Sequence, residues 1–345
     1  MDDVAIISDL HYKLGRGNNL FIKHVEDAVD NFIEECNARE VKKVLILGDV
    51  FHVKQSIDTY CLNRCLKSIR KITSLYPTTA LVGNHDSIRR NNHDINLMNV
   101  FSSDCNVITD YEYEDIDGVP VRFHYLPFFE DDTLRKKINE IQIRPNAQNI
   151  MYGHFSFDGY GPAGHEEVYS SLKPKDIINC GIDYIYSGHV HSYKSDSNFT
   201  YVSSPLESHF NEGGIHGYVF HNYLNAHVHE FIVNDLSPKF IEFTLKKSNL
   251  KNLYEIKDSY VSIILKKKLD QHLVEALKRK VEEKNHYVRI VSNVEIENND
   301  ISVIQGWDNY ILMSAEEIIE DYANKVLSDN DEHTADELIE EIFRI

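Results

Sequence analysis

Short uninterrupted apolar runs alternate with amphipathic stretches through the first half of the chain. Residues 4–7 form one such run, and Phe21, Val25, Val29, Phe32 and Ile33 then recur at the spacing of a single helical face up to Cys36. Residues 44–47 form a second run, followed by Leu62, Cys65, Leu66 and Ile69 at helical spacing and by a third run at 80–82. Strand, helix, strand, helix, strand in this order predicts a sheet with helical crossovers and an α/β fold class. Residues 149–152 and 184–186 read as further short strands, and 200–243 as a strand-rich stretch punctuated by Gly and Pro. Beyond it, strand 260–265, helix 270–283 and strand 287–291 suggest a small separate α+β unit. In the last part, Ile318, Ile319, Tyr322 and Val326 share one helical face, as do Ala335, Leu338, Ile339, Ile342 and Phe343.

Composition narrows the class. The 345 residues are 42% hydrophobic and 26% charged, an ordinary globular balance with room for two or three domains, which excludes collagen-like, disordered and disulfide-scaffold chains. No run approaches the ~18 apolar residues of a membrane span, and Met1-Asp2-Asp3 is acidic where a signal peptide would be basic. No membrane association and a cytoplasmic location are expected. Cys36, Cys61, Cys65, Cys105 and Cys180 contain no C-x-x-C and leave one odd thiol in any pairing, so reduced cysteines are expected. The net charge of -19 argues at first against nucleic acid. It is unevenly spread, however: residues 239–289 carry 13 Lys+Arg against 7 Asp+Glu, and 295–345 carry 2 against 15.

Each apolar run of the α/β region leads into polar residues with ligand atoms: Asp9-Leu10-His11, Gly48-Asp49, Gly83-Asn84-His85-Asp86, Gly153-His154 and Gly188-His189-Val190-His191. Ligands of open α/β sheets bind outside the strand ends, so five such ends suggest one site assembled from loops. Taken singly, Gly-Asp or Asp-x-His is ordinary turn chemistry, and a lone His154 is a satisfied or surface histidine; together, in this order, they point to metal. Carboxylate oxygens, imidazole nitrogens and a carboxamide, without thiolate, suit manganese, iron, zinc or magnesium. About seven such ligands exceed the needs of one tetrahedral ion and match two ions sharing a carboxylate, a pair able to clamp the attacking and leaving oxygens of a phosphoryl displacement.

The combination resembles the calcineurin-like metallophosphoesterase superfamily, whose blocks D-x-H, G-D, G-N-H-[D/E], G-H and G-H-x-H all occur here in order across residues 9–191. The resemblance implies a four-layer α/β/β/α sandwich. It also implies that Asp9, His11 and His191 hold one metal, that Asp49 bridges, and that Asn84, His154 and His189 hold the other. His85 would face the phosphate as a transition-state stabiliser or proton donor, and Asp86 would orient His85.

Finer features are similar to the SbcD-type DNA nucleases. Gly48-Asp49-Val50-Phe51-His52 matches their G-D-x-F-H and lacks the Arg of the phosphatase motif, and residues 201–218 resemble their Tyr-x-Gly-Ser, Phe-x-Glu and closing Gly-aromatic segments. Gln55 stands where that family often has Pro, and Ser203 where it has Gly. By this resemblance His52 places the DNA strand near the metals; alternatively it simply packs beside Phe51. The implied organisation is a nuclease domain at 1–240, a DNA-contacting α+β capping domain at 241–310 and C-terminal helices at 311–345. Those helices would bind an SbcC-like ABC-type ATPase with a coiled coil, or else pack on the chain's own core. Lys266-Lys267-Lys268 and Lys278-Arg279-Lys280 would contact DNA phosphates, or form a solvated face. The expected activity is metal-dependent cleavage of DNA in recombination and repair by a homodimer using two divalent ions, manganese foremost. The chain is shorter than typical bacterial members, which suits a bacteriophage homologue. Other readings are a cyclic-nucleotide or phosphomonoester hydrolase, and a non-catalytic DNA-end tethering subunit.

Overall fold

The computed structural model of the protein describes residues 3–13, 19–52, 56–160, 170–210, 212–246, 249–266 and 271–292. The chain divides into two compact units, Met1–Ser208 with Glu212–Ser237, and His209–Asn211 with Pro238–Ile345. The expected C-terminal helices at 311–345 lie outside the described residues.

The first unit opens with the alternating order expected from its apolar spacing: β1 (Val4–Ile7), α1 (Leu20–Arg39), β2 (Lys43–Ile46), α2 (Thr59–Leu75) and β3 (Thr78–Leu81). Helix α1 buries Phe21, Val25, Ala28, Val29, Phe32 and Cys36 at three- and four-residue intervals, and it stops where Glu40 turns left-handed (φ 55°). Helix α2 begins where the Asp58 carboxylate accepts the backbone N–H groups of Tyr60 and Cys61. The chain continues through the hairpin β4 (Ser87–Arg89) and β5 (Asn92–Asn96), then β6 (Asn106–Ile108), β7 (Glu112–Asp115), β8 (Val121–Leu126), α3 (Asp131–Ile138), β9 (Gln148–His154), α4 (Pro174–Ile178), β10 (Tyr184–Gly188), β11 (Lys194–Asp196), β12 (Phe199–Tyr201), β13 (Gly217–Asn222) and β14 (Asn225–Val233).

These strands form two six-stranded sheets, in the orders β14-β13-β1-β2-β3-β6 and β11-β12-β10-β9-β8-β7. Strands β1, β2, β3 and β6 run parallel, as do β8, β9, β10 and β12, with antiparallel strands at both edges of the second sheet. Alternate residues of each strand meet between the sheets. Val4, Ile6, Leu45 and Val219 from one side pack with Phe123, Tyr152, Tyr184 and Tyr186 from the other. The outward alternates of the second sheet, Met151, Ile185 and Tyr201, pack with Leu134 and Ile138 of α3 and Ile177 of α4. On the first sheet Phe32 of α1 covers Tyr218 of β13, whose hydroxyl donates to the Ala28 carbonyl. The layering is helix, sheet, sheet, helix.

The intersheet core is unusually rich in tyrosine, and each buried hydroxyl has a partner. Tyr125 donates to Glu114, Tyr186 to the Ala226 carbonyl and Tyr152 to His221 Nε2 at 2.8 Å, satisfying groups whose burial would otherwise be costly. The His221 ring lies over Tyr186 at 4.8 Å with an 11° interplanar angle, and its Nδ1–H donates to the Asn222 carbonyl.

In the second unit, β15 (Lys239–Thr244), α5 (Leu250–Glu255), β16 (Ser259–Leu265), α6 (Gln271–Glu282) and β17 (Tyr287–Ser292) form a three-stranded parallel sheet with a core of Leu253, Val261, Ile263, Leu277, Val281 and Val288. The basic run on α6 is paired within its own stretch of chain: Lys278 with Glu282, Arg279 with Glu275, and Lys280 with Glu283. All five cysteines are free thiols. Among the described residues no helix is long and apolar enough to cross a membrane.

The buried His221 generates a pH dependence. Burial pushes its pKa down to about 4 from an ordinary 6.5. Between those values the unfolded chain binds a proton that the folded one excludes, so stability falls as pH drops from about 6.5 toward 4, by about 3 kcal/mol in total. Thermal unfolding followed from pH 7 to 5 should show the midpoint falling with acidity, and His221→Phe should flatten that slope even though it orphans the Tyr152 hydroxyl. An unchanged slope in the variant would assign the effect elsewhere.

Candidate active site

The carboxyl ends of five parallel strands from both sheets converge. Asp9 and His11 follow β1, Asp49 follows β2, and Asn84, His85 and Asp86 follow β3; His154 ends β9, and His189 and His191 follow β10. Four of these residues adopt left-handed backbone: Asp9 (φ 55°), His11 (φ 46°), Asp49 (φ 50°) and His189 (φ 86°). Such conformations cost roughly 1–3 kcal/mol each and persist where surrounding bonds over-determine them. Here the Asp9 N–H donates to the Gly48 carbonyl, the His11 N–H to the Asp49 carbonyl, and the His189 N–H to the Asp9 carboxylate at 3.1 Å. Two glycines permit the close approach. A Cβ on Gly83 would lie 2.1 Å from Asp49 Oδ1, and one on Gly188 2.2 Å from Ser8 Oγ. Ser203, at the position the resemblance gives to glycine, also takes a left-handed φ of 77°, and its hydroxyl donates to the His191 carbonyl at 2.7 Å.

The donors fall into two clusters. In one, His11 Nε2 and His191 Nε2 are 2.9 Å apart and lie 3.9 and 3.8 Å from Asp9 Oδ1. In the other, Asn84 Oδ1 is 3.0 Å from both His154 Nε2 and His189 Nδ1. Asp49 Oδ2 stands between them, 3.7 Å from His11 Nε2 and 3.5 Å from His154 Nε2. All seven residues named here are thus brought together.

The hydrogen-bonding pattern tests whether cations fit. His154 donates Nδ1–H to the Leu47 carbonyl at 2.6 Å, and His191 donates Nδ1–H to Glu212, so both Nε2 lone pairs aim inward at other acceptors. Acceptor atoms facing one another repel unless positive charge lies between them. Their separations of about 3–4 Å are those of atoms each about 2.0–2.2 Å from a shared ion. Burial disfavours charge on His154, yet Asp49, Asp9 and the Leu47 carbonyl outweigh it and push its pKa up to about 9, so that without a cation in the cluster a proton on Nε2 takes the place of one. Asp49 is correspondingly held well below the usual carboxylate range, against the effect of its burial, by His154 and His11. The mixed N/O donor set without thiolate fits divalent ions.

His85 and His52 sit beside the donors rather than among them. Their rings stack at 5.2 Å and 10°, and His11 lies edge-on to both at 5.0 and 5.2 Å. His85 Nδ1–H donates to the His52 carbonyl at 3.0 Å, leaving Nε2 as the nitrogen available for proton transfer. His52 is therefore packed on the imidazoles of His85 and His11 and not merely beside Phe51. The expected role of Asp86 is corrected: its carboxylate does not orient the His85 ring. It is fully buried and accepts the backbone N–H groups of Phe51 and Gly83, both at 2.9 Å, tying the β2 and β3 loops together. Burial, with Asp49 nearby, raises it to about 7.

Two contributors were not foreseen as site residues. Phe128 lies 5.7 Å from the His189 ring and 6.1 Å from that of His154, and its only sequence signal is a position just after a strand. Glu212 contacts His191 from a segment noted only for its Phe-x-Glu pattern. The β4–β5 hairpin also forms part of the rim. It starts one residue after Asp86, and His93 on it donates to the Phe128 carbonyl at 2.6 Å. Ile88 on one strand and Ile95 on the other are 52% and 70% exposed, with Arg89 and Arg90 also exposed.

A protein of Invertebrate iridescent virus 6 with the provisional name phosphoesterase 244L is 25% identical over 225 residues, covering 62% of this chain and 73% of that protein. Among solved structures, a dimetal phosphatase from Danio rerio aligns over 64% of this chain and 92% of its own at 10% identity and a TM-score of 0.40. GAP50, the anchor in the inner membrane complex of Plasmodium, aligns over 68% and 78% at 12% identity and a TM-score of 0.35. The sequence model of the calcineurin-like phosphoesterases matches residues 3–193, more than half the chain and every converging strand end, and the protein belongs to that family.

Proposed function

We propose that the protein is a two-metal phosphodiesterase of the SbcD-type nuclease kind that cleaves DNA. The observation that carries this reading is the stacked His52–His85 pair on the flank of the donor clusters, where a strand lying over the site would meet both rings. Asp9, His11 and His191 would hold one ion, Asn84, His154 and His189 the other, and Asp49 both. Manganese suits this donor set. Ions bound there would neutralise phosphate charge and make water a better nucleophile near neutral pH.

The chain's own groups supply the remainder. With Nδ1–H committed to the His52 carbonyl, His85 in its doubly protonated form presents Nε2–H to the phosphodiester, delivers that proton to the departing oxygen and is left as neutral imidazole. Asp86 holds the loops that carry His52 and His85 at a fixed spacing through Phe51 and Gly83. At the rim, the Ile88–Ile95 pair offers an apolar surface to unstacked bases, and Arg89 offers its guanidinium to the backbone. In the wider proposal residues 1–240 are the nuclease domain, 241–310 a capping domain and 311–345 a docking segment for a coiled-coil ABC-type ATPase of the SbcC kind, in a homodimer that processes DNA ends.

Incubation with manganese and labelled linear DNA, beside a small phosphodiester and a phosphomonoester, tests this reading. The expected result is DNA cleavage that is abolished by chelator and reduced about 10²- to 10⁴-fold in His85→Ala. Monoester turnover with intact DNA would overturn it in favour of a small-molecule hydrolase, and inertness toward all three substrates with the ATPase present would favour a tethering subunit.

The hairpin provides a separate check. Ile88→Asp with Ile95→Asp alters only exposed side chains, so cleavage of DNA should fall about tenfold or more while turnover of the small diester stays unchanged. Equal activity of variant and parent on DNA would remove the hairpin from the substrate path.

A further inference from the structure

We propose that Glu212 is the positioning residue for His191, and that Lys13 holds Glu212 in place; the inference rests on the two-metal reading and assigns a role to residues outside its donor set. His191 Nδ1 is hydrogen-bonded to Glu212 Oε1. A carboxylate only accepts, so this contact puts a proton on Nδ1 and makes Nε2 the nitrogen whose lone pair a cation can take. Nε2 is the atom that faces His11 Nε2 at 2.9 Å and Asp9 at 3.8 Å. An imidazole without this partner can exchange tautomers and turn about its ring bond, both of which withdraw the lone pair from the site.

The second carboxylate oxygen is also committed. Glu212 Oε2 accepts the backbone N–H of Ser208, and the carbonyl of the same Ser208 accepts from Lys13 Nζ at 3.2 Å. Lys13 Nζ also lies over the Phe21 ring, 5.1 Å from its centre. Lys13 lies two residues past His11, so a continuous chain of contacts runs from the loop that carries His11, through Lys13, Ser208 and Glu212, to the ring of His191. It joins from behind the two imidazoles that face each other in front. A group that orients a metal-bound histidine in this way is commonly worth 10- to 100-fold in metal affinity.

The test uses the full-length chain, freed of metal with a chelator and titrated with manganese, free Mn²⁺ being read by electron paramagnetic resonance. The parent should take up two ions. Glu212→Ala should weaken one site 10- to 100-fold and leave the other unchanged. Glu212→Gln, which keeps an accepting oxygen, should recover much of the loss, and Lys13→Met should show a smaller weakening at the same site. In the metal-free protein, a downfield imidazole N–H resonance of His191 should be present in the parent and absent in Glu212→Ala. Parent-like binding of two ions by Glu212→Ala would overturn the assignment alone. So would equal weakening of both sites accompanied by a lowered unfolding midpoint of the metal-free variant, the mark of a purely structural role. A parent that binds no manganese would overturn the two-metal reading itself.

Discussion

Asp49 is the constraint around which the first unit is arranged. Its carboxylate is buried, which costs several kcal/mol unless opposite charge and donors surround it. One oxygen takes the His85 backbone N–H at 2.8 Å, and the other lies within 4 Å of His11 and His154, one imidazole from each donor cluster. Meeting this demand dictates local features that have no other explanation. Gly83 lacks a side chain because a Cβ would strike Asp49 Oδ1, and Asp49 itself takes a left-handed backbone with φ 50°. The site is therefore less a pocket with ligands in it than a buried negative charge with the fold's loops closed around it.

What the sequence disclosed and what it concealed divide along the distance over which a feature is encoded. Asp9, His11, Asn84, His189 and His191 were legible because each sits just past an apolar run, and strand, turn and donor all lie within a few consecutive residues. The hairpin at residues 87–96 was not, because its strands are short and mostly exposed, without the alternation that marks a half-buried strand. Strand β7, with the sequence EYED, looks like an acidic loop; its place in the sheet is secured by partners such as Tyr125, whose hydroxyl donates to Glu114. The error over Asp86 has the same origin. The resemblance implied that Asp86 orients His85, whereas the N–H group that fills one of its oxygens belongs to Phe51, 35 residues earlier. Glu212, 21 residues past His191, is a case of the same kind.

Charge shows why counts along the chain mislead about surfaces. The excess of bases in residues 239–289 suggests a phosphate-binding face, yet on α6 each of Lys278, Arg279 and Lys280 has a carboxylate three or four residues away. Such pairs contribute only a few tenths of a kcal/mol each to stability, but they cancel most of the field that a polyanion would sense beyond a Debye length. Those three carboxylates are already counted among the 7 acids of the stretch, so its excess of bases lies outside α6 rather than on it. Binding at the catalytic unit would rest on short-range groups at the rim and on cations held by the buried carboxylates.

The precision such a site needs comes from the core beneath it. Tyr152 is two residues before His154 on β9, and Tyr186 is three before His189 on the β10 side; the two rings stack 5.9 Å apart, and the His221 imidazole lies within stacking distance of both. Side chains in close-packed interiors have little room to shift, so the depth of each strand end relative to its neighbour is set by these rings. Donors on strand ends inherit that rigidity, whereas the same residues on free loops would have to be ordered at the moment of binding. A cavity opened at Tyr152 or Tyr186 would therefore act on the metal donors without touching them, by letting β9 and β10 slide a fraction of an ångström against each other. The tyrosine-rich intersheet layer thus sets the positions of the clustered histidines at its strand ends.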